Sequence, residues 1–371
     1  MNLKNQNILF VVRTMGLGGT ENVVLQLCQV LHELVNKIVV CSIGGVLEKE
    51  LNCMGITHYT IKDISSKNPV DFLSDCFEIR RIIKKEQITI VHSHHRMAAL
   101  IAEIVSPRSV LKVANAHNTF YDKRLLTRFA YKNTHIIAVG KKVKQNLIDY
   151  FGLPEKQISV IYNAVKPFEK NIDILDVLKK EKQQGNVVIG NIGRLAPQKG
   201  MEYFIEAAKL VLKKHLNARF FIVGDGPLKD KLQEMIRQYH LEKFVYMLGY
   251  RSDIQNVMSQ CDFIVLSSLW EGLPLTPIEA FSVSKTVVAT SVDGTPEIVK
   301  NNENGQLVDP KNIEQLADSI CYLIENNDFR VKLEQCAKST YDLNFSFNKL
   351  KENYIQYYTS LPNNTSLSAE W

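Results

Sequence analysis

The stretch Val187-Val188-Ile189-Gly190-Asn191-Ile192-Gly193-Arg194-Leu195-Ala196-Pro197-Gln198-Lys199-Gly200-Met201 decides the fold. Its first six residues are a β-branched run of strand length, a glycine-bearing loop follows, and Met201–Lys214 reads as a helix. Strand, loop and helix in that order are one step of a parallel sheet covered by helices. The step repeats downstream. Arg219–Val223 is a strand that ends in Gly224-Asp225-Gly226-Pro227, and Leu228–Tyr239 is a helix. Phe244–Leu248, Asp262–Leu266 and Thr286–Thr290 read as strands, Leu275–Ser282 and Ile313–Glu325 as helices. A last helix near Ser346–Tyr358 has no strand after it.

Upstream, Val165–Gly185 is polar, lysine-rich and weakly periodic apart from a short piece near Ile174–Leu178, the composition of a linker. Before it the same alternation runs once already. Asn7–Val12, Lys37–Ile43, Ile88–Ser93, Lys112–Ala116, His135–Val139 and Ile158–Tyr162 read as strands. Leu73–Lys85, Arg96–Val105, Leu125–Tyr131 and Lys142–Tyr150 read as helices. The glycine turn Gly16–Gly19 follows the first strand, with Thr20 placed to cap the next helix and Glu21 in its positive first turn. The expectation is an α/β protein of two doubly wound Rossmann-like domains, 1–165 and 186–345. Residues 166–185 link them, and 346–371 form a C-terminal helix and tail. Ligands then bind at the carboxyl ends of the strands. A chain of 371 residues with 45% hydrophobic content suits two cores rather than one.

The net charge of +6 is unevenly shared. Residues 1–165 carry 21 Lys and Arg against 13 Asp and Glu, and the remainder carries 24 against 26. A basic first half suits a polyanionic partner such as membrane phospholipid or a lipid diphosphate, and equally a surplus of surface lysines. It shows no aromatic–basic interleaving, so no nucleic-acid partner is expected. The run Ile8–Val12 is strand length, which argues against a signal peptide. No stretch approaches the ~18 uncharged apolar residues of a membrane span. Seven scattered cysteines without a C-x-x-C pair read as reduced cytosolic thiols. The expected location is cytoplasmic, peripheral at a membrane face if the basic half meets lipid. Leu361–Trp371, with the sequon at Asn364, reads as a frayed tail.

Two motifs carry chemistry. In Ser267-Ser268-Leu269-Trp270-Glu271-Gly272-Leu273-Pro274-Leu275-Thr276-Pro277-Ile278-Glu279-Ala280, Glu271 sits in a glycine–proline loop just after a strand. Glu279 follows one to two turns into the next helix. Two carboxylates there accept hydrogen bonds from vicinal hydroxyls, while loop N–H groups and the helix N-terminus meet phosphate. The plainer alternative is two solvated glutamates. In Gly193–Gly200, Arg194 offers a planar fork and Lys199 a point charge, which together suit a diphosphate. Exposed surface basics are the alternative, against which their position at a strand's carboxyl end argues.

These segments, with Val223-Gly224-Asp225-Gly226-Pro227, resemble the retaining glycosyltransferases of family 4 over roughly Ile8 to Tyr358. The resemblance implies the GT-B fold, two Rossmann-like domains facing across a cleft, with the C-terminal helix packing back toward the N-terminal domain. It implies transfer of a sugar from a nucleotide-diphosphate sugar, UDP-linked by preference, to a glycan or lipid-linked acceptor in cell-surface polysaccharide biosynthesis. No metal or cofactor is expected. The catalytic set carried over is His117, Glu271, Arg194 and Lys199. Donor contacts carried over are Gly18, Gly19, Arg194, Lys199, Arg251, Glu271, Gly272, Leu273, Leu275 and Glu279. Arg194 and Lys199 would hold the diphosphate, Glu279 the ribose hydroxyls, and Glu271 with Gly272–Leu275 the transferred sugar. Tyr250–Ser252 would lie beside the base, and Gly18-Gly19 would let backbone approach the donor phosphate.

His117 would stand near the donor sugar and the attacking acceptor, and His94 would border the acceptor. Five of the nine histidines lie between 92 and 135. His92-Ser93-His94-His95 has the look of a metal tract, but no Asp or Glu adjoins it and the chain has no Asp-x-Asp. Packing or capping is the alternative for His92 and His95. Asn163 falls at the expected domain junction. Gly140 stands where the family often has serine, which leaves the acceptor side less defined. Other readings are a nucleotide-sugar 2-epimerase, a non-catalytic nucleotide-sugar sensor, and a dehydrogenase. The last is disfavoured because Gly16–Glu21 lacks the third glycine of G-x-G-x-x-G.

Overall fold

A computed structural model describes residues 1–16, 18–168 and 173–362. The chain divides into two compact units: Met1–Asn163 together with the chain from Leu350 onward, and Ala164–Lys349.

The first unit is built on seven strands: β1 (Asn7–Val11), β2 (Lys37–Ser42), β3 (Thr57–Thr60), β4 (Ile90–Ser93), β5 (Leu111–Ala116), β6 (His135–Ala138) and β7 (Ile158–Val160). Their order is β3-β2-β1-β4-β5-β6-β7, all neighbours parallel. Every residue of β1 is buried, as a strand covered on both faces requires. The chain moves outward in one direction from β1 and in the other from β4. The loops leaving these neighbours therefore part and open a crevice at the carboxyl ends. His94, His95 and the residues Val12–Gly16 after β1 all lie at that switch point.

The second unit repeats the plan with six strands: β8 (Val187–Ile192), β9 (Ala218–Val223), β10 (Val245–Gly249), β11 (Phe263–Leu266), β12 (Val287–Thr290) and β13 (Gly305–Val308). Their order is β10-β9-β8-β11-β12-β13, again all parallel. Its switch point lies between β8 and β11, so the loops Gly193–Gly200 and Ser267–Pro274 leave from adjacent strands. Phe204, Ile205 and Ala208 of the helix Met201–Val211 pack with Phe220 and Ile222 of β9 and Ile320 of the helix Ile313–Glu325 in its core.

The structure changes some expectations. Gly18, not Thr20, is the N-cap of the helix Gly19–Leu31, and Thr20 lies inside the helix. The glycine enters with extended backbone that threonine's hydroxyl never gets to cap. The segment expected as a linker at 166–185 contains the helix Asp176–Gln183 of the second unit. Leu178 is fully buried there, and Glu181 accepts from Arg219 Nε at 2.9 Å and the Tyr246 hydroxyl at 2.8 Å. One apolar residue and one paired acid anchor it, too few to show as periodicity. The strand β3 has no buried residue, only exposed and half-buried ones, so no apolar pattern marks it in the sequence. The short strand β13 and the helices Glu48–Cys53, Ile254–Gln260 and Asn327–Thr340 were likewise unforeseen. Residues 169–172 of the expected linker, residues 363–371 of the expected tail with its sequon, and Leu17 lie outside the described residues.

Candidate functional site

In the second unit, three loops are stacked backbone on backbone. The Leu195 N–H donates to the Asp225 carbonyl at 2.9 Å and the Leu228 N–H to the Leu195 carbonyl at 3.0 Å. The Leu269 N–H donates to the Gln198 carbonyl at 2.7 Å. This closeness explains two glycines. A Cβ on Gly224, at φ +144°, would lie 2.0 Å from the Gly193 carbonyl oxygen, and one on Gly200, at φ +56°, 2.2 Å from that of Ser267.

The stacking fixes Lys199 beside Glu271. Lys199 Nζ reaches Glu271 Oε1 at 2.6 Å, with side chains 17% and 7% exposed. The same carboxylate oxygen accepts from Ser268 Oγ at 2.7 Å, and the Glu271 N–H donates to Asp293 Oδ2 at 2.8 Å. Glu271 is thus a buried, positioned acid, not a solvated one. Glu279, on the helix Leu275–Ser282, is partly buried and makes no side-chain hydrogen bond among the described residues. Loss of water pushes its carboxyl up to about 7, against the opposing field of Lys199. No side chain caps that helix and no acid sits in its first turn, so its positive end is uncompensated. Arg194 is exposed and makes no ion pair among the described residues. Gly272, Leu273 and Leu275 line the loop and first turn between the two glutamates, and the Gly294 N–H donates to the Gly272 carbonyl at 3.0 Å. Arg251 is engaged by Asp253 through two bonds of 2.8 and 2.7 Å, which hold the Asp253 carboxyl down at about 2.

The arrangement pairs Lys199 with Glu271 and sets the field of Lys199 on Glu279, while Arg194 is exposed on the same loop as Lys199 and Arg251 is taken up by Asp253. It presents two cations, an uncompensated helix end and two carboxyl groups at the ends of two adjacent strands. That is the equipment to hold an anion on one side and hydroxyls on the other. Sequence reasoning missed Ser268 and Asp293, which orient Glu271. An Asp-Gly turn just after a strand was the available signal for Asp293.

The first unit is arranged differently. His92 and His94 are buried and His117 is half-buried, and all three are neutral: desolvation lowers His117 to about 4, His92 to about 3 and His94 well below the usual range. His94 Nδ1 and His117 Nε2 are 3.2 Å apart. His95 Nδ1 accepts from the Met97 N–H at 3.2 Å, capping the helix Arg96–Val105. At the β1 turn, Glu21 bonds Thr14 Oγ1, and a Cβ on Gly18 would meet its carboxylate at 2.3 Å. The positive end at Gly18 and Gly19 therefore already faces a carboxylate. Among the described residues no group of three or more His, Cys, Asp or Glu is placed to hold a metal ion. No helix among them is long and apolar enough to cross a membrane.

Residues 17–167 match the family described as Glycosyltransferase Family 4, and residues 174–340 match Glycosyl transferases group 1. The UDP-Gal:alpha-D-GlcNAc-diphosphoundecaprenol alpha-1,3-galactosyltransferase of Escherichia coli is 26% identical, covering 91% of this chain and 94% of the relative. The phosphatidylinositol N-acetylglucosaminyltransferase GPI3 subunit of Saccharomyces cerevisiae strain YJM789 is 30% identical over 77% of this chain and 67% of its own length. Among solved structures, a glycosyltransferase from Rickettsia africae ESF-5 superposes with a TM-score of 0.83, at 26% identity and 96% and 98% coverage.

Proposed function

The chain belongs to the family 4 glycosyltransferases and has their two-domain, Rossmann-like GT-B fold, and from that premise we propose that it is a retaining, metal-independent enzyme using a UDP-sugar. One observation carries the reading: Lys199, Glu271 and the uncapped helix bearing Glu279 converge on adjacent strand ends of one unit. The departing group of a nucleotide sugar is a diphosphate, whose developing charge needs cations and N–H dipoles in a dry site. Lys199, Arg194 and the start of the helix Leu275–Ser282 supply them without a metal. Lys199 is paired with Glu271, and donor binding shares or transfers its ammonium to the phosphates. Glu271 then turns to the sugar, and Glu279 takes the ribose hydroxyls. Retention follows from attack on the same face that the diphosphate leaves, with that phosphate receiving the acceptor's proton and His117 orienting the sugar.

The acceptor in this reading is a lipid-linked glycan of a cell-surface polysaccharide pathway. The E. coli relative, whose name specifies a diphosphoundecaprenol acceptor, supports it. So does the surface of the first unit, where the helices Pro69–Lys85, Arg96–Val105 and Arg124–Ala130 pack side by side. They expose Val70, Leu73, Phe77, Leu125 and Phe129 among basic residues such as Arg80 and Arg128, the mixture that seats on anionic lipid. The deciding experiment is thermal stability against UDP, GDP and NAD, with and without EDTA. A ligand at about 100 times its dissociation constant adds roughly 2.7 kcal/mol. A UDP shift that survives EDTA is the expected outcome, and a shift with NAD alone overturns the donor assignment. Flotation with anionic liposomes at low salt tests the surface, and absence of binding removes it.

A further inference from the structure

Outside the donor-side loops, a buried polar cluster joins the histidines of the first unit to the C-terminal helix Phe347–Ser360. His92, at the end of β4, has no exposure and uses both ring nitrogens. Nε2 lies 2.8 Å from Asn115 Oδ1 on β5, and Nδ1 lies 2.5 Å from the Tyr358 hydroxyl. The Asn115 amide nitrogen donates to the Tyr354 hydroxyl at 2.8 Å, so its oxygen is the group facing His92. That fixes the tautomer. His92 carries its proton on Nε2 and donates to Asn115, and the Nδ1 lone pair accepts from Tyr358. Burial keeps both tyrosines protonated, as donors.

The arrangement extends from His92 to His117. The His92 and His94 rings lie 4.6 Å apart at 31°, and Phe10 packs on both at 5.3 and 5.8 Å. His94 in turn meets His117 Nε2 through Nδ1, with ring centroids 5.4 Å apart. His94 Nε2 is buried without a protein partner, although nearly every buried polar atom in a folded protein has one.

We propose that Tyr358 and Tyr354 are positioning residues for His117, setting its ring through the chain Tyr358–His92–His94–His117 and the branch Tyr354–Asn115–His92. The inference rests on the reading that His117 belongs to the reactive site. It gives the last helix a role in turnover as well as in packing. Phenylalanine keeps the ring and removes only the hydroxyl, so Tyr358→Phe leaves His92 Nδ1 unmatched in a dry core and frees its ring to rotate. A small misplacement of a positioned group costs turnover far more than binding. Tyr354→Phe acts one bond further away and has the smaller effect.

The test has two arms on the full chain. The first follows His117 by NMR titration of imidazole signals. In wild type it titrates well below the ordinary 6.5, and in Tyr358→Phe it moves up as the packing around it loosens. The second measures UDP release from UDP-glucose and UDP-N-acetylglucosamine for wild type, Tyr358→Phe, His117→Ala and the double variant. The expected result is a kcat loss of about tenfold or more with unchanged KM in Tyr358→Phe, and no further loss when Tyr358→Phe is added to His117→Ala. Equal losses in both backgrounds, or a lowered melting temperature with kcat and the His117 titration unmoved, overturn the proposal. If His117→Ala turns over normally, the placement of His117 in the reactive site falls. The titration arm then decides the positioning by itself.

Discussion

The two units have nearly the same scaffold and hold their functional side chains by opposite means. In the second, charge is the working material. Lys199 and Glu271 are oriented by loops whose backbones touch, and glycines at 200 and 224 permit that touch. In the first, charge is excluded. His92, His94 and His117 are neutral and held by hydrogen bonds and ring packing that reach to Tyr354 and Tyr358. The difference suits the division of labour in the glycosyl transfer we propose. A diphosphate needs fixed positive charge, whereas a sugar and an attacking hydroxyl need orientation in a dry place.

The comparison breaks most sharply at the cations. Arg194→Ala and Lys199→Ala should each lower kcat by roughly 10²–10³ while the protein stays folded, checked by turnover alongside circular dichroism. Near-normal turnover in Arg194→Ala removes the diphosphate assignment. Next in size is Gly224→Ala, whose Cβ has no room beside the Gly193 carbonyl. It should destabilise the second unit by about 1–3 kcal/mol, and hydrogen exchange should locate the loss there and leave β1–β7 unchanged.

The third prediction sets the units against each other in pH. The buried histidines of the first have folded pKa values below the unfolded 6.5. The unfolded chain therefore takes up protons first, and their stabilisation, complete above 6.5, is lost as pH falls toward about 4. Glu279 in the second has the reverse sign. Its pKa of about 7 lies above the unfolded 4.5, so stability present below 4.5 is lost as pH rises through 7. Exchange followed from pH 7.5 to 5 should show the first unit weakening while the second gains protection as Glu279 takes up its proton, an offset between the units. Glu279→Gln should remove the offset. The smallest effect expected is on binding. UDP affinity of the wild type should rise between pH 6 and 8 as the Glu279 carboxyl ionises to accept ribose hydroxyls, and Glu279→Gln should bind more weakly with a flatter profile.

How much of this was legible in the sequence follows from the same contrast. The second unit announces itself, because Arg194, Lys199, Glu271 and Glu279 are charged residues in glycine-bearing loops after β-branched runs. Its sheet is legible there apart from the short strand β13, and so are the charged residues proposed for the site, but not Ser268 and Asp293, which orient Glu271. The Lys199–Glu271 pair itself was not readable, since 72 residues separate its members and only the adjacency of β8 and β11 joins them. The first unit's sheet was legible apart from its polar edge strand β3. Its site was legible only as a run of histidines, open to capping, packing or metal readings. The packing of His92 is fixed by Tyr358, 266 residues away, and His95 is a helix cap. Tyr354 and Tyr358 look in sequence like any aromatic pair four apart on an amphipathic helix.

The path of the chain has a consequence for manufacture. The first unit is interrupted: it stops at Asn163 and resumes at Leu350, while the second is one uninterrupted length between them. On a ribosome the second unit has everything it needs for its sheet soon after residue 308 emerges. His92 and Asn115 wait for partners that are translated more than two hundred residues later. Until then the nascent first unit carries two polar groups built for burial that have each other but not their tyrosine partners. It is the part of the newborn protein most dependent on protection from aggregation.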